Sequence, residues 1–366
     1  MAGNSFGENF KVTTFGESHG VALGVIVDGM PSGIDFDAKK IQDALDKRKP
    51  GQTHKNENGS ESVNAFSTAR KESDRAEILS GVFEEKTTGT PIAILIRNEN
   101  QHSSDYNNIK DTFRPGHADF TFFEKYGIRD YRGGGRSSGR ETCARVAAGA
   151  VAQMFLDQYG IKIKAYTKKA AGVECKKINL SEIEENLMRA PDNDAAKLME
   201  EKIAELRKEG NSAGGVIECI VENLPAGLGE PVFDKIDAML AHACLSIGAV
   251  KGIEFGEGFN LADMYGSKSN DQMRSENKKA VFKTNNAGGI LGGISRGDEI
   301  VFRLAVKAVP SIYLKQDTIN TSFENTQIEI QGRHDICLCP RIVPVVEAMT
   351  AITLADLMLR NRCSKK

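Results

Sequence analysis

Two segments, one in each half of the chain, align without a gap: residues 25–34 (VIVDGMPSGI) and residues 219–228 (CIVENLPAGL). Each is a strand-like apolar run followed by an acidic residue, a Pro-x-Gly turn and a helical stretch. A Gly-Arg loop then precedes a later helix in each half, at Gly135-Arg136 and Gly332-Arg333. Two matches in one order predict a duplicated unit with pseudo-twofold related halves, about 1–170 and 210–366, in a single domain 1–366. The alternative is two ordinary strand-turn-helix units of similar composition.

Hydrophobic periodicity predicts both strands and helices along the chain. The predicted strands are 21–27, 91–97, 216–221, 250–255 and 299–307. Three predicted helices begin near residues 37, 139 and 181, and two more span 231–243 and 340–359. Three polar stretches without periodicity are predicted to be loops: 51–64, 98–118 and 263–286.

The composition is that of a soluble globular protein, with 366 residues of which 40% are hydrophobic and 27% charged. A net charge of −2 gives no general attraction to nucleic acid or anionic membranes, so anion binding must come from local arginine clusters. No apolar run approaches the length that spans a bilayer, and the N-terminus lacks a signal-peptide core, so we expect a cytoplasmic protein. Seven scattered cysteines fit neither a disulfide framework nor a zinc site, which predicts reduced, mostly buried thiols.

Residues 132–150 combine three consecutive glycines with a run of small apolar residues. Ser138 and Glu141 have the spacing of a capping box, which predicts a helix from about Gly139. The free N–H groups of that helix end, with nearby guanidinium groups, predict a site for an anion such as phosphate. The guanidinium groups are those of Arg132, Arg136 and Arg140. The alternative is a flexible loop beside a solvated basic face.

Three further turns carry groups that can transfer protons. His19 lies between glycines in the segment GESHG, where a ligand can reach its imidazole. Arg114 precedes His117 in RPGHAD, a pairing that suits protonation of a departing phosphate when the anion lies between them. Asp335 in GRHD follows a cation and an imidazole, so we expect an ionised carboxylate that could act as a base. The structural alternatives are a backbone partner for His19, a surface turn for His117 and an ion pair for Asp335.

Residues 286–297 (NAGGILGGISRG) contain five glycines. So many glycines indicate that the backbone closely approaches something flat or tightly packed. The segment lacks the preceding strand and following helix of a dinucleotide fingerprint, so we reject a Rossmann fold. Contact with a planar cofactor stays open.

These motifs resemble those of the chorismate synthase family. The matching segments are FGESHG at 15–20, FRPGHAD at 113–119, YRGGGRSSGRET at 131–142, NAGGILGGIS at 286–295 and GRHD at 332–335. They occur in the family's order and span nearly the whole chain. The resemblance implies an α+β fold, a β-α-β sandwich with pseudo-twofold related halves, that assembles as a homotetramer.

The resemblance also implies an activity, that of a carbon–oxygen lyase acting on phosphates. The reaction is the anti-1,4-elimination of phosphate from 5-enolpyruvylshikimate 3-phosphate to give chorismate, the last common step of the shikimate pathway. It requires bound reduced FMN although no net redox change occurs, and in some family members NADPH reduces the flavin.

Residue roles follow from the same resemblance. His19 would lie at the flavin and help to protonate its reduced ring, His117 would protonate the leaving phosphate, and Asp335 would work with the flavin N5 in removing the ring proton. Arginines, whose forked donors suit carboxylates and phosphate, would bind the substrate: Arg48, Arg114, Arg140 and Arg333. The implied FMN contacts are Arg48, His54, Arg136, Ser137, Ser138, Gly248, Ala249, Gly292, Lys307, Ala308, Val309, Pro310, Ser311 and Arg333.

Three positions depart from the family's pattern. Gly248 stands where the family often has asparagine, which removes one side-chain contact. Residues 307–311 (KAVPS) keep the lysine and serine of the family's Lys-Pro-x-x-Ser but lose a proline. The loop after Gly51 is longer and lacks the family's second arginine; His54 or Ala65 occupies its place, and His54 or Lys55 could substitute for it.

Two other functions fit the residues less well. A phosphotransferase or phosphatase could use the same arginines without a flavin, but the chain has neither a P-loop nor paired carboxylates for magnesium. A nucleic-acid-binding module conflicts with the net charge and with an aromatic content of 7%. We therefore expect a small-molecule substrate, with no metal, nucleic acid or membrane as partner.

Overall fold

The structure is a computed structural model that describes residues 3–51, 53–55, 61–63, 72–99, 110–330 and 334–364, with the side chains of 53–55, 61–63 and 363 left out. The strands in this part of the chain are β1 (Ser5–Phe6), β2 (Lys11–Gly16), β3 (Ala22–Asp28), β4 (Thr53–Lys55), β5 (Glu61–Val63), β6 (Ala76–Ile78), β7 (Val82–Phe83), β8 (Lys86–Thr87), β9 (Ile92–Arg97), β10 (Lys162–Ala170), β11 (Val173–Glu174), β12 (Gly215–Glu222), β13 (Val250–Phe255), β14 (Met273–Glu276), β15 (Lys279–Phe282), β16 (Ile290–Leu291), β17 (Ile294–Ser295), β18 (Ile300–Val306), β19 (Gln316–Ile319) and β20 (Asn325–Ile328). The α-helices are α1 (Ala38–Arg48), α2 (Asp119–Tyr126), α3 (Thr142–Asp157), α4 (Asn193–Lys208), α5 (Ile236–Leu245), α6 (Gly266–Ser269) and α7 (Cys339–Arg360).

Two antiparallel five-stranded sheets share one topology. Their strand orders are β1-β2-β3-β9-β6 and β11-β10-β12-β18-β13. In each, the four main strands follow the pattern first, second, fourth, third across the sheet. A helix separates the second strand from the third (α1 or α5), and another follows the fourth (α3 or α7). The aligned segments 25–34 and 219–228 thus begin in equivalent strands, β3 and β12, and the pseudo-twofold arrangement is confirmed.

Helices α3 and α7 pack against each other between the two sheets, which makes the molecule a β-α-β sandwich. Helix α3 packs against β3 and β9 of the first sheet, while α7 packs against β10 and β12 of the second. Alternate residues of each strand point inward, as the period of a strand requires; Leu23, Val25 and Val27 of β3 are fully buried. The six cysteines whose side chains are described are buried and unpaired, which confirms the expectation of reduced thiols.

The two central helices α3 and α7 touch at a glycine. A Cβ on Gly149 would lie 2.3 Å from the Cβ of Ala348 and 2.4 Å from its Cα. No real side-chain atom fits into so short a space, so the separation of the helices depends on glycine at this position. The small residues that the sequence places in α3 are therefore a packing requirement.

Helix α7 corrects the expectation that no segment could span a bilayer. Cys339–Arg360 is long and apolar enough to do so by length and composition, with a mean hydropathy of 1.8 over its most apolar window. In the structure 83% of that window is buried inside the molecule. A helix packed on every side is apolar on every side, which is why its composition resembles that of a membrane span.

The strands predicted from periodicity are confirmed as β3, β9, β12, β13 and β18. Two of the loop predictions were wrong. In the predicted loop 51–64, the described residues 53–55 and 61–63 form an antiparallel pair of strands, and the predicted loop 263–286 contains α6 and the hairpin β14–β15. The second region is organised by the buried carboxylate of Asp271, which accepts hydrogen bonds from the N–H groups of Asn286 and Ala287. Helix α5 begins at Ile236 rather than 231, and residues 100–109 of the predicted loop 98–118 lie outside the described residues.

We expect Gly149→Ala to lower the free energy of unfolding by about 1–3 kcal/mol, because the added methyl group must push α3 away from α7. Urea denaturation of the purified protein measures this change. The matched control is Gly252→Ala in β13, where the new Cβ would lie 3.5 Å from Ala305, an ordinary contact. Equal stability of the two variants would show that the helices separate without cost.

Candidate functional site

A cavity of 630 Å³ lies where loops from both halves meet. The first half contributes the turn 114–118 and the loop 133–142, and the second contributes 245–251, 307–311 and the residues from 334 to 345 that open α7. The cavity volume is within the range of small-molecule sites, roughly 300–1,000 Å³. Both segments that follow the Gly-Arg pairs therefore border one site.

Two of the three consecutive glycines in the loop each lie against a histidine. Gly133, Gly134 and Gly135 all have positive φ, a conformation that favours glycine. A Cβ on Gly133 would lie 2.8 Å from the His19 ring, and one on Gly134 would lie 3.0 Å from Cε1 of His117. Any larger residue at either position would displace an imidazole. The absence of a side chain there therefore fixes where the two histidine rings can lie.

The start of α3 differs from the predicted capping box. A short 3-10 turn, Gly139–Glu141, precedes α3, and the hydroxyl of Ser138 accepts a hydrogen bond from the N–H of Arg140. The N–H of Ser138 donates to the Gly135 carbonyl instead of to Glu141. The Glu141 carboxylate accepts from the Thr14 hydroxyl. Glu141 thus ties α3 to the first sheet and leaves the Ser138 turn at the cavity.

Two of the predicted substrate arginines share a pair of carboxylates. Arg48 Nη1 lies 2.8 Å from Asp74 Oδ2, and Arg140 Nη1 lies 2.7 Å from Asp74 Oδ1 and 2.5 Å from Glu72 Oε2. Asp74 is fully buried and has a left-handed φ of 45°, a strained conformation for aspartate. Arg140 Nε also donates to the side-chain oxygen of Asn98. The two guanidinium groups are therefore fixed in position at the cavity wall.

The third predicted substrate arginine, Arg114, forms a buried bidentate pair with Asp119. Nε of Arg114 lies 2.7 Å from Oδ2 of Asp119, and Nη2 lies 2.9 Å from Oδ1. Nδ1 of His117 lies 2.9 Å from the same Oδ1. Burial alone would raise the pKa of Asp119, but hydrogen bonds from Arg114 and His117 outweigh it and hold that pKa well below its usual range.

Asp335 faces a cation that the sequence analysis did not single out. Nη1 of Arg341, in the first turn of α7, donates to Oδ2 of Asp335 at 2.6 Å. Both side chains line the cavity together with His334. The carboxylate is thus held at the cavity by a side chain six residues along the chain.

The rest of the wall offers an apolar surface beside polar groups. Ala249 has a positive φ of 74°, and a Cβ on Gly248 would meet nothing within 4 Å, so the backbone borders open space there. Nζ of Lys307 donates to the Gly116 carbonyl at 2.6 Å, which joins the two halves across the cavity. The larger apolar lining residues are Leu245, Ile247, Val250, Val309, Pro310, Leu338, Ile342 and Val345.

The structure brings most of the predicted site residues together. The cavity is lined by Arg48, Arg114, His117, Ser137, Ser138, Arg140, Gly248, Ala249, Lys307, Val309, Pro310, Ser311 and Asp335. Ala308 lies within the segment 307–311, and His19 lies behind Gly133. Arg333 and the side chain of His54 lie outside the described residues.

Two predicted flavin contacts lie elsewhere. The guanidinium of Arg136 turns toward the first sheet, where it donates to the Gly16 carbonyl and to the Thr14 hydroxyl. Gly292 and Gly293 form the turn of the hairpin β16–β17, and both have the positive φ of a type I′ turn. A Cβ on Gly293 would collide with Lys235 at 2.2 Å. Turn geometry and tight packing therefore account for these two glycines.

Four charged residues of the site were missed from the sequence. Asp119 stands inside the quoted motif RPGHAD, two residues after His117, so its place in the turn was a usable signal. Arg341 lies six residues after Asp335, near the start of a predicted helix. That position was a signal for an ion pair between its guanidinium group and the Asp335 carboxylate. Glu72 and Asp74 carry no local signal, because their partners lie far away in the chain.

Comparison with known proteins gives one consistent result. A family model described as chorismate synthase matches residues 10–359. The chorismate synthase of Methanosarcina mazei is 53% identical over 366 residues, which span 99% of this chain and 97% of the relative. That of Christiangramia forsetii is 49% identical over 369 residues, which span 100% of both. A crystal structure of a chorismate synthase is similar with a TM-score of 0.76 and 32% identity, covering 97% of this chain and 93% of the other.

We expect the His117 imidazole to titrate below pH 6.5 in the protein without ligand. Burial lowers the pKa of His117, and the positive charge of Arg114 lowers it further, whereas the hydrogen bond to Asp119 raises it. Because the unfolded chain then binds more protons than the folded one, this group lowers the stability as the pH falls below 6.5. An NMR titration, with the resonance assigned by its loss in His117→Gln, measures the midpoint; a midpoint above the ordinary value would contradict the expectation.

Proposed function

The chain belongs to the chorismate synthase family, and we propose that it eliminates phosphate from 5-enolpyruvylshikimate 3-phosphate in the cavity between its two halves, with reduced FMN bound there. The observation that carries this proposal is that three arginines, an imidazole and a carboxylate line one cavity: Arg48, Arg114, Arg140, His117 and Asp335. A substrate with a phosphate and two carboxylates needs several forked cations, and its leaving group needs an acid.

The lining residues fit a flavin as well as a substrate. The apolar surface formed by Ile247, Leu338 and Ile342 suits a planar ring system, and the hydroxyl groups of Ser137, Ser138 and Ser311 are donors for its polar edge or phosphate. The open space beside Gly248 permits close approach of such a ring to the backbone. Reduced FMN supplies electron density that assists the loss of an allylic phosphate without net oxidation.

The protein's own groups then divide the work. The arginines bind the substrate's anionic groups, and their buried carboxylate partners keep them oriented. His117 donates a proton to the departing phosphate, whose dianionic charge favours the imidazolium form that burial disfavours. Asp335, held by Arg341, accepts the proton that leaves the ring. His19, whose ring lies behind Gly133, would help to hold the reduced ring of FMN and to protonate it.

The assembly and cellular setting belong to the same proposal: a cytoplasmic homotetramer. The outer face of the first sheet supports association, because Phe15 and Ile26, which share that face, are 42% and 40% exposed beside Gly24. Analytical ultracentrifugation at several protein concentrations determines the number of subunits.

Spectroscopy and product analysis test the function directly. FMN is added to the purified protein with the substrate, and its absorption spectrum is recorded, followed by an anaerobic assay of chorismate with reduced FMN. An unchanged flavin spectrum and no chorismate would overturn the proposal. Oxidation of NADPH by the protein with FMN then shows whether it reduces its own flavin.

We expect His117→Ala and Asp335→Ala each to slow turnover by a factor of at least about one hundred, the usual size of a general acid or base contribution. The assay is anaerobic chorismate formation with chemically reduced FMN, so that flavin reduction is not measured. Asp317→Asn, which removes an exposed carboxylate bonded to Gln327, is the control and should retain normal turnover. Near-normal turnover in either alanine variant would refute the role given to that residue.

A further inference from the structure

The buried carboxylate of Asp119 has so far been given one role, the orientation of Arg114. It is the first residue of α2, its side chain is only 3% exposed, and it lies beside the cavity rather than in it. Oδ1 is 2.9 Å from Nδ1 of His117, and both carboxylate oxygens receive N–H groups of Arg114. Nη1 of Arg129 lies 3.3 Å from Oδ1 on a further side. Asp119 thus connects one imidazole to two guanidinium groups.

This geometry fixes which nitrogen of His117 can act in the cavity. Nδ1 is engaged with Asp119, so Nε2 is the nitrogen left for a ligand, and the ring is part of the cavity wall. A carboxylate on Nδ1 sets the tautomer of an imidazole and stabilises its charged form. The hydrogen bonds from Arg114 and His117 in turn hold the pKa of Asp119 well below its usual range, so its carboxylate stays ionised.

We propose that Asp119 is the positioning residue for the acid of the elimination: it accepts the Nδ1–H of His117, aims Nε2 at the leaving phosphate and stabilises the imidazolium. This inference rests on the proposed role of His117. In the step itself, the Nε2–H bond breaks as an O–H bond forms on the departing phosphate. Nδ1 keeps its proton throughout, and Asp119 stays ionised.

The charges around the ring explain why a carboxylate is needed there. Arg114 and Arg129 both face the imidazole, and Nζ of Lys307 is bonded to the neighbouring Gly116 carbonyl. Asp119 is the carboxylate in contact with the ring among the described residues. Without it, a protonated His117 would face only positive charge until a phosphate arrives.

A measurement on the unchanged protein tests the geometry without any turnover. Nitrogen-15 NMR of labelled imidazoles, with His117 assigned by His117→Gln, reports which ring nitrogen is protonated in the neutral form. The expected result is protonation at Nδ1. Protonation at Nε2 would overturn the proposal, because Nδ1 would then accept from Arg114 rather than donate to Asp119.

Kinetics of Asp119→Asn test the effect on catalysis. We expect the alkaline limb of the kcat profile to move down by at least about one pH unit, the size of a lost opposite charge, with Asp119→Glu partly restoring it. In a His117→Ala background the same change should cost nothing further. An equal loss in both backgrounds would show a purely structural role and overturn the proposal.

Two controls separate this inference from the function on which it rests. Asp157→Asn removes a surface carboxylate paired with Lys40 and should leave the pH profile unchanged. If His117→Ala retains normal turnover, the acid role of His117 is wrong, whereas the NMR measurement still decides whether Asp119 holds the ring. If Asp119→Asn does not fold, that measurement on the unchanged protein decides alone.

Discussion

The contact between Gly149 and Ala348 is the constraint on which the arrangement of the two halves depends. It sets the distance between α3 and α7, and each of these helices carries its own sheet. Because both helices begin at the cavity, their separation also sets the distance between the loop at 133–142 and the residues that follow Gly332-Arg333. A packing requirement in the core therefore determines the dimensions of a site at its edge.

The same duplication explains why chemically different groups border one cavity. Equivalent loops before α3 and α7 have diverged, so that one offers hydroxyl groups and Arg140 while the other offers Asp335 with Arg341. The bond from Lys307 to Gly116 links the halves a second time. A site built between two similar units can place an acid and a base on opposite sides without either neutralising the other.

Local features of the fold followed from the sequence, whereas long-range ones did not. Strands such as β3 and β18 have a periodicity that depends only on neighbouring residues, so their positions were predictable. In the first sheet β9 lies beside β3, so the fourth main strand pairs with the second. This order depends on pairing between strands that are distant in the chain, and no local pattern encodes it. Within the site, motif turns located His117 and Asp335, but the sharing of Asp74 by Arg48 and Arg140 joins three distant segments. The pair Gly292-Gly293 between apolar residues was a readable hairpin signal, whereas the flavin contact implied for Gly292 by the family resemblance stays a prediction.

The paired arginines bear on how the site selects its ligand. Arg48, Arg114 and Arg140 each have a buried carboxylate partner, so their guanidinium groups are already ordered before any substrate binds. Ordering in advance lowers the entropy lost on binding, which favours a ligand whose anions match the fixed positions. The partner carboxylates also reduce the net positive charge, so a single free anion gains little from any one arginine. A ligand with several anionic groups at the right spacing engages all of them at once, and discrimination then depends on geometry more than on charge.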